Sequence, residues 1–161
     1  MAGEITGEII KSAISRNIRQ NITLKNSATY KIYKERTVQG FAKPSFFIWA
    51  IDVEQQSVSK GVYNRIYQMN IRYHTQDSTP KLNEELNELG NKLLYHLAIL
   101  DVPILDIDET TQKQKEITRP VKGTQMSFNI VEDVLQVYVT YTIRVKQSQT
   151  TQPNMVDVKI I

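Results

Sequence analysis

Residues 39–53 read QGFAKPSFFIWAIDV, and they hold the only Trp of the chain and three of its four Phe. Gly40 and Pro44 bracket a turn, because Gly reaches backbone angles closed to other residues while Pro fixes φ and donates no hydrogen bond. The residue before Pro44 is pushed towards an extended conformation. Phe46, Phe47, Ile48, Trp49, Ala50 and Ile51 follow without a charge and with strong strand preference. An apolar run this short, bounded by turn residues, reads as a strand buried on both faces. That places it centrally in a sheet, with Trp49 buried. A buried helix segment is the competing reading, but the run is shorter than a typical helix.

On the N-terminal side, residues 4–19 carry Ile5, Ile9, Ala13, Ile14 and Ile18 as one stripe of an amphipathic helix, with Lys11, Arg16 and Arg19 largely off it. A helix packed on a sheet explains the stripe better than a membrane-surface helix, which would carry more bulk and more basic residues. Residues 29–34, TYKIYK, alternate and predict a short edge strand whose lysines discourage stray pairing. On the C-terminal side, residues 54–61, EQQSVSKG, read as a polar connector of hairpin length. Over residues 62–75, Tyr63, Tyr67, Met69, Ile71 and Tyr73 alternate with Asn64, Gln68, Asn70 and Arg72, a long strand with one covered and one wet face.

Asp77-Ser78-Thr79-Pro80 marks a helix start, with Thr79 as N-cap and Pro80 at the first helical position. Leu82, Leu86, Leu89, Leu93, Leu97 and Leu100 then predict a helix of about five turns packed on the sheet. Glu84, Glu85 and Glu88 lie off that stripe, near the end where the helix dipole favours negative charge. Val102-Pro103 ends the helix, and 104–107 adds a short extended piece. Residues 108–119, DETTQKQKEITR, are polar and aperiodic, an exposed loop or a protruding hairpin. Alternation on both sides of Glu132-Asp133 predicts a hairpin over 126–131 and 134–145. The order helix, strands, helix, strands gives an α+β class: a two-layer fold in which an antiparallel or mixed sheet of four to five strands packs against two amphipathic helices. Residues 1–148 form a single domain in this reading, and 149–161 a C-terminal extension.

The chain of 161 residues has no cysteine, which excludes disulfides and thiol catalysis. No apolar run approaches the ~20 residues of a membrane span, and no signal-peptide layout opens the chain, so a soluble protein made in the cytoplasm is expected. Eleven Lys and Arg face five acids over residues 1–76, two face eight over 77–110, and seven face four over 111–161. That asymmetry points to association surfaces, whereas a nucleic-acid-binding domain shows one dominant basic face. His74 and His96 have no metal-ligand spacing, and the cluster Asp101, Asp106, Asp108 and Glu109 lacks the Gly and closing Glu of a calcium loop. The strand tyrosines resemble an RNA-stacking platform but lack interleaved basic residues. No catalytic, metal or cofactor site is expected, and the protein reads as a non-enzyme.

The segment YKIYKERTVQGFAKPSFFIWAID, residues 30–52, resembles the N-terminal signature of small tail terminator proteins of phages and phage-like tail particles of Gram-positive bacteria. Tyr33, Glu35, Val38, Gln39, Gly40, Phe41, Pro44, Phe46, Phe47 and Ile48 match in place. Near the C-terminus, Gly123, Thr124, Met126, Ile130, Val131, Val134, Leu135 and Tyr141 resemble that family's G-T-x-M strand and final hairpin. The family has Asp-Gly at the hairpin turn where this chain has Glu132-Asp133. Residues 108–119 and the tail beyond Lys146 lie outside its pattern. The resemblance spans residues 5–146.

The resemblance implies a structural role and no cofactor. Tail terminators form a homohexameric ring on the last ring of tail-tube subunits, stop tube polymerisation and present a surface to head-completion proteins at the neck. In contractile tails the ring also touches the end of the sheath. DNA is implied only as the genome passing through the channel, and no membrane is involved. The implied location is the neck end of the virion tail, after assembly in the host cytoplasm. A closed ring needs head-to-tail contact between two different surfaces of each subunit. Glu84, Glu85 and Glu88 against Lys11, Arg16 and Arg19 are candidates, with Lys113 and Lys115 of the 108–119 segment against the tube or a neighbour. Two other classes stay open: a soluble assembly adaptor or chaperone of phage morphogenesis, and a nucleic-acid-binding domain.

Overall fold

A computed structural model describes residues 4–36, 39–76 and 81–147. Two helices, α1 (Gly7–Asn21) and α2 (Leu82–Leu97), accompany six strands: β1 (Lys31–Tyr33), β2 (Ser45–Ser59), β3 (Val62–His74), β4 (Ile99–Ile107), β5 (Gln114–Val131) and β6 (Val134–Lys146). The strands form one sheet in the order β1-β2-β3-β6-β5-β4. Only the β1–β2 pair is parallel. The class is therefore the expected α+β, with a mixed sheet that is richer in strands than expected.

Helix α1 starts where the Thr6 hydroxyl accepts the Ile9 N–H at 3.3 Å. Its last carbonyls are met by the Tyr30 hydroxyl, which donates to Ile22 at 2.8 Å and to Ile18 at 3.2 Å. Ile10, Ala13, Ile14 and Ile18 form its buried stripe. Helix α2 buries Leu82, Leu86, Gly90, Leu93 and Leu97. Gly90 stands in that stripe because the Phe128 ring occupies its place: a Cβ there would lie 2.8 Å from the ring. Thr79 and Pro80, the expected helix start, lie outside the described residues.

Leu100 continues the leucine spacing but belongs to β4, not to the helix. The helix stops early because its last carbonyls are captured by the sheet. The Tyr141 hydroxyl donates to the Leu97 carbonyl at 2.7 Å, and the Gly123 N–H donates to the Ala98 carbonyl at 2.7 Å. The core fills the space between the sheet and the helices, with Ile10, Ile14, Leu93, Leu97, Ile71, Val137 and Tyr141 at its centre.

Two expectations change. First, β2 is second from the sheet edge, not central, and only its first four residues are buried. Phe46 and Ile48 join the core, whereas Phe47 is buried on the opposite face. Trp49, also on that face, is half-buried, and Ile51 is 50% exposed. Second, residues 54–59 extend β2 instead of forming a connector, so only Lys60 and Gly61 turn the chain. Side chains polar on both faces hid this strand, which projects beyond the core. Of the two readings of residues 108–119, the structure takes the protruding hairpin: 114–119 belong to β5 and pair with 102–107 of β4, and 108–113 form its tip. The 126–131/134–145 hairpin lies where it was placed, with Glu132 and Asp133 at φ 50° and 62° in the left-handed angles that a two-residue hairpin turn demands.

Two arms result. The far ends of β2, β3 and β6 form a three-stranded arm, and β4 with the first half of β5 forms a two-stranded ribbon. β5 changes partner at Gly123: residues up to Lys122 pair with β4, and residues from Gly123 pair with β6.

Candidate functional site

The QGF-x-x-P-x-FFI segment divides between the two faces of the sheet: Phe46 and Ile48 enter the core, while Phe41 and Phe47 meet on the face away from the helices. Gly40 turns the chain at φ 69°, and the Lys43–Pro44 peptide is cis. Phe41 then meets Phe47 edge-on at 5.0 Å between centroids and His74 at 4.7 Å. Tyr33 stacks on Phe47 at 4.9 Å, and its hydroxyl accepts the Ala42 N–H at 3.3 Å. Tyr33, Phe41, Phe47 and His74 thus close a small aromatic box that pins the 39–44 turn to β1, β2 and β3. Burial, with Arg72 and Lys43 nearby, pushes the His74 imidazole below its ordinary pKa and holds it neutral. Trp49 continues this face beneath the Arg72 guanidinium, 4.9 Å from its ring. The motif is built to fix a turn. Val38, part of the same signature, lies outside the described residues.

The acidic cluster does not converge. Asp101 and Asp106 point to opposite faces of β4, and Asp108 opens a turn by accepting the Thr110 N–H at 2.9 Å. That backbone hydrogen bond, helped by the Thr111 hydroxyl, lowers the Asp108 pKa. Among the described residues no group of three or more His, Asp or Glu side chains is placed to hold a metal ion. No described helix is long and apolar enough to cross a membrane.

The charged candidates are partly spoken for within the chain. Glu85 pairs with Lys25 at 3.1 Å, Glu88 approaches Lys92 at 3.7 Å, and Lys11 pairs with Glu8 at 3.0 Å. Glu84, Arg16 and Arg19 are exposed and have no ion pair among the described residues. Lys113 and Lys115 lie exposed at the ribbon tip. Glu85 and Glu88 also rim an open groove of ≈ 440 Å³, floored by Leu24, Tyr73, Leu82, Leu86 and Leu89. Composition did not flag the apolar residues left in solvent on the arms: Ile51, Val53 and Val58 on β2, and Ile99, Leu105 and Ile107 on β4. A signal existed for β4: ILDVPILDI is apolar at successive positions, as in a strand covered on both faces.

The chain matches the family of phage tail terminator proteins over residues 9–153. It belongs to the phage tail terminator family. No curated protein matches it. As a terminator-family member it is a structural component of a phage tail and works in association with other tail components.

Proposed function

We propose that the chain caps the head-proximal end of the tail tube as a homohexameric ring, stops tube polymerisation and forms the neck surface that receives the head-completion proteins. Family membership supports the tail role. The observation that carries the assembly step is the apolar surface on both arms, with Ile51 50%, Leu105 52% and Ile99 61% exposed. Large apolar side chains left in solvent on strands at both ends of the sheet support surfaces that other subunits cover.

Glu84, Glu85 and Glu88 on α2, Lys11, Arg16 and Arg19 on α1, and Lys113 and Lys115 at the ribbon tip are the contact candidates in this reading. Residues 1–148 supply the ring body, with 149–161 as an extension. Tails assembled without the protein should be overlong by electron microscopy, and restoring it should return them to uniform length. Tubes of normal length in its absence would overturn the capping role and favour an adaptor that leaves after assembly.

A further inference from the structure

The three-stranded arm has two open edges of opposite charge. On its outer side, β2 is paired with β1 only at Ser45, Phe46 and Phe47, so among the described residues, 48–59 have no partner strand along one edge. On the other side, β5 leaves β6 after the Gly123–Tyr141 pair, so among the described residues, 142–146 have no partner on that side, a second open edge. The β2 edge carries Asp52 and Glu54, and the β6 edge carries Arg144 and Lys146. The register through β3 puts all four on the same face: Asp52 and Glu54 oppose Gln68 and Ile66, while Arg144 and Lys146 oppose Asn64 and Val62. All four are exposed, and none is in an ion pair among the described residues; Glu54 only accepts a hydrogen bond from Gln56 at 3.1 Å.

We propose that the β6 edge of one copy docks beside the β2 edge of the next, so that the arms join head-to-tail into one continuous sheet. The proposal rests on the ring reading and names the surfaces that close it. Open edges are a hazard that proteins blunt with charge. Blunting is most effective when every edge carries one sign, since any two edges then repel. Here the signs differ, so β2-to-β2 and β6-to-β6 contacts are repelled while β6-to-β2 is attracted. Direction agrees as well. Both β2 and β6 run antiparallel to β3, so they run parallel to each other, and a rotation axis to which the strands are tilted preserves that sense while staggering neighbouring edges; a stagger of four residues brings Arg144 and Lys146 level with Asp52 and Glu54. Ile51, Val53 and Val58, exposed along β2, would be covered in the same contact.

The test uses two full-length charge variants. Asp52→Lys with Glu54→Lys makes both edges basic, and Arg144→Glu with Lys146→Glu makes both acidic. Because the positions are exposed, each variant should melt like the parent. Each alone should lose head-to-tail multimers on tube ends at least tenfold, and a one-to-one mixture should recover them, since the two kinds can alternate around an even ring.

A cross-link reads the contact directly, because the chain has no native cysteine. Arg144→Cys combined with Cys at position 52, 54 or 56 should give a ladder of linked copies under oxidation. Positions 56 and 144 both oppose Asn64, so within one chain they stand two strand spacings apart, ~9.6 Å, beyond the reach of a disulfide. Full assembly by either variant alone, or no ladder with any of the three pairs, overturns the edge contact and leaves the ring reading intact. A ladder from a protein that does not shorten tails overturns the ring cap and leaves the edge contact standing.

Discussion

Replacing Tyr141 by Phe removes one hydroxyl and leaves the ring, which is fully buried, in place. That hydroxyl donates to the Leu97 carbonyl at 2.7 Å, and burial pushes its pKa well above the ordinary tyrosine value, so it stays protonated and able to donate. The Leu97 carbonyl is one of the orphan acceptors at the end of α2, and no water can replace the donor in a packed core. An unsatisfied buried acceptor costs about 1–3 kcal/mol. For a domain of this size each kcal/mol shifts Tm by roughly 2–4 °C, so a fall of several degrees is expected. Tyr138→Phe is the matched control. Its hydroxyl donates to the Gln136 side chain at 3.0 Å on a half-exposed face, where water substitutes, so its cost should stay below about 0.5 kcal/mol. Urea melts followed by circular dichroism give both values, with unchanged slopes showing that the unfolded state is not altered. Equal midpoints for the two variants would refute the role given to the captured helix end.

Gly90→Ala tests the fit of α2 against Phe128. An exposed helix would gain about 1 kcal/mol, but here the new Cβ would lie 2.8 Å from the ring, and overpacking costs about 1–3 kcal/mol. Net loss is expected, with recovery on adding Phe128→Leu. Replacing Glu132-Asp133 by Asn-Gly should raise Tm, because both residues hold positive φ that Asn and Gly adopt more readily. His74 should make stability depend on pH. Its folded pKa lies below the unfolded value, so the folded state binds fewer protons. Stability is then full above pH ~6.5 and falls as pH drops towards the folded pKa. His74→Gln should flatten a Tm series between pH 7.5 and 5. Trp49→Ala should remain soluble and cost about 1–2 kcal/mol, not the ~3–5 of a core Trp, because the ring is half-buried beneath Arg72.

What the chain disclosed before folding follows burial. Leu82 to Leu97 and Ile10 to Ile18 repeat at helical spacing because one face of each helix meets the sheet, and Leu135 to Ile143 alternate because one face of β6 meets the helices. Where a strand leaves the core, the constraint on its side chains lapses. Residues 54–59 and 114–119 are held by backbone pairing, which any sequence without Pro can provide, so polarity made 54–59 read as a connector and left 114–119 open between loop and hairpin. Leu100 misled in the opposite way. It is buried at the spacing of the leucine stripe, and only the capture of the Leu97 carbonyl by a residue 44 positions away shows that the helix has ended. The aromatic box was legible as a motif and not as an arrangement, since its fourth wall, His74, arrives from β3. The edge charges were equally hidden: Asp52 and Lys146 acquire meaning only once β3 is known to separate them.

The change of partner along β5 gives the molecule a mechanical property. A strand that serves two ribbons acts as the spine of an angle bracket, and any swing of one limb must bend that spine at Gly123. A Cβ there would sit 3.0 Å from the Leu97 oxygen and 2.9 Å from Val139, so the joint is wedged between the end of α2 and β6. The angle between the limbs is therefore set by packing inside one subunit, before any neighbour arrives. The angle of the bracket is thus a property of the folded subunit, and Gly123→Ala, which forces that packing to give, should lower Tm.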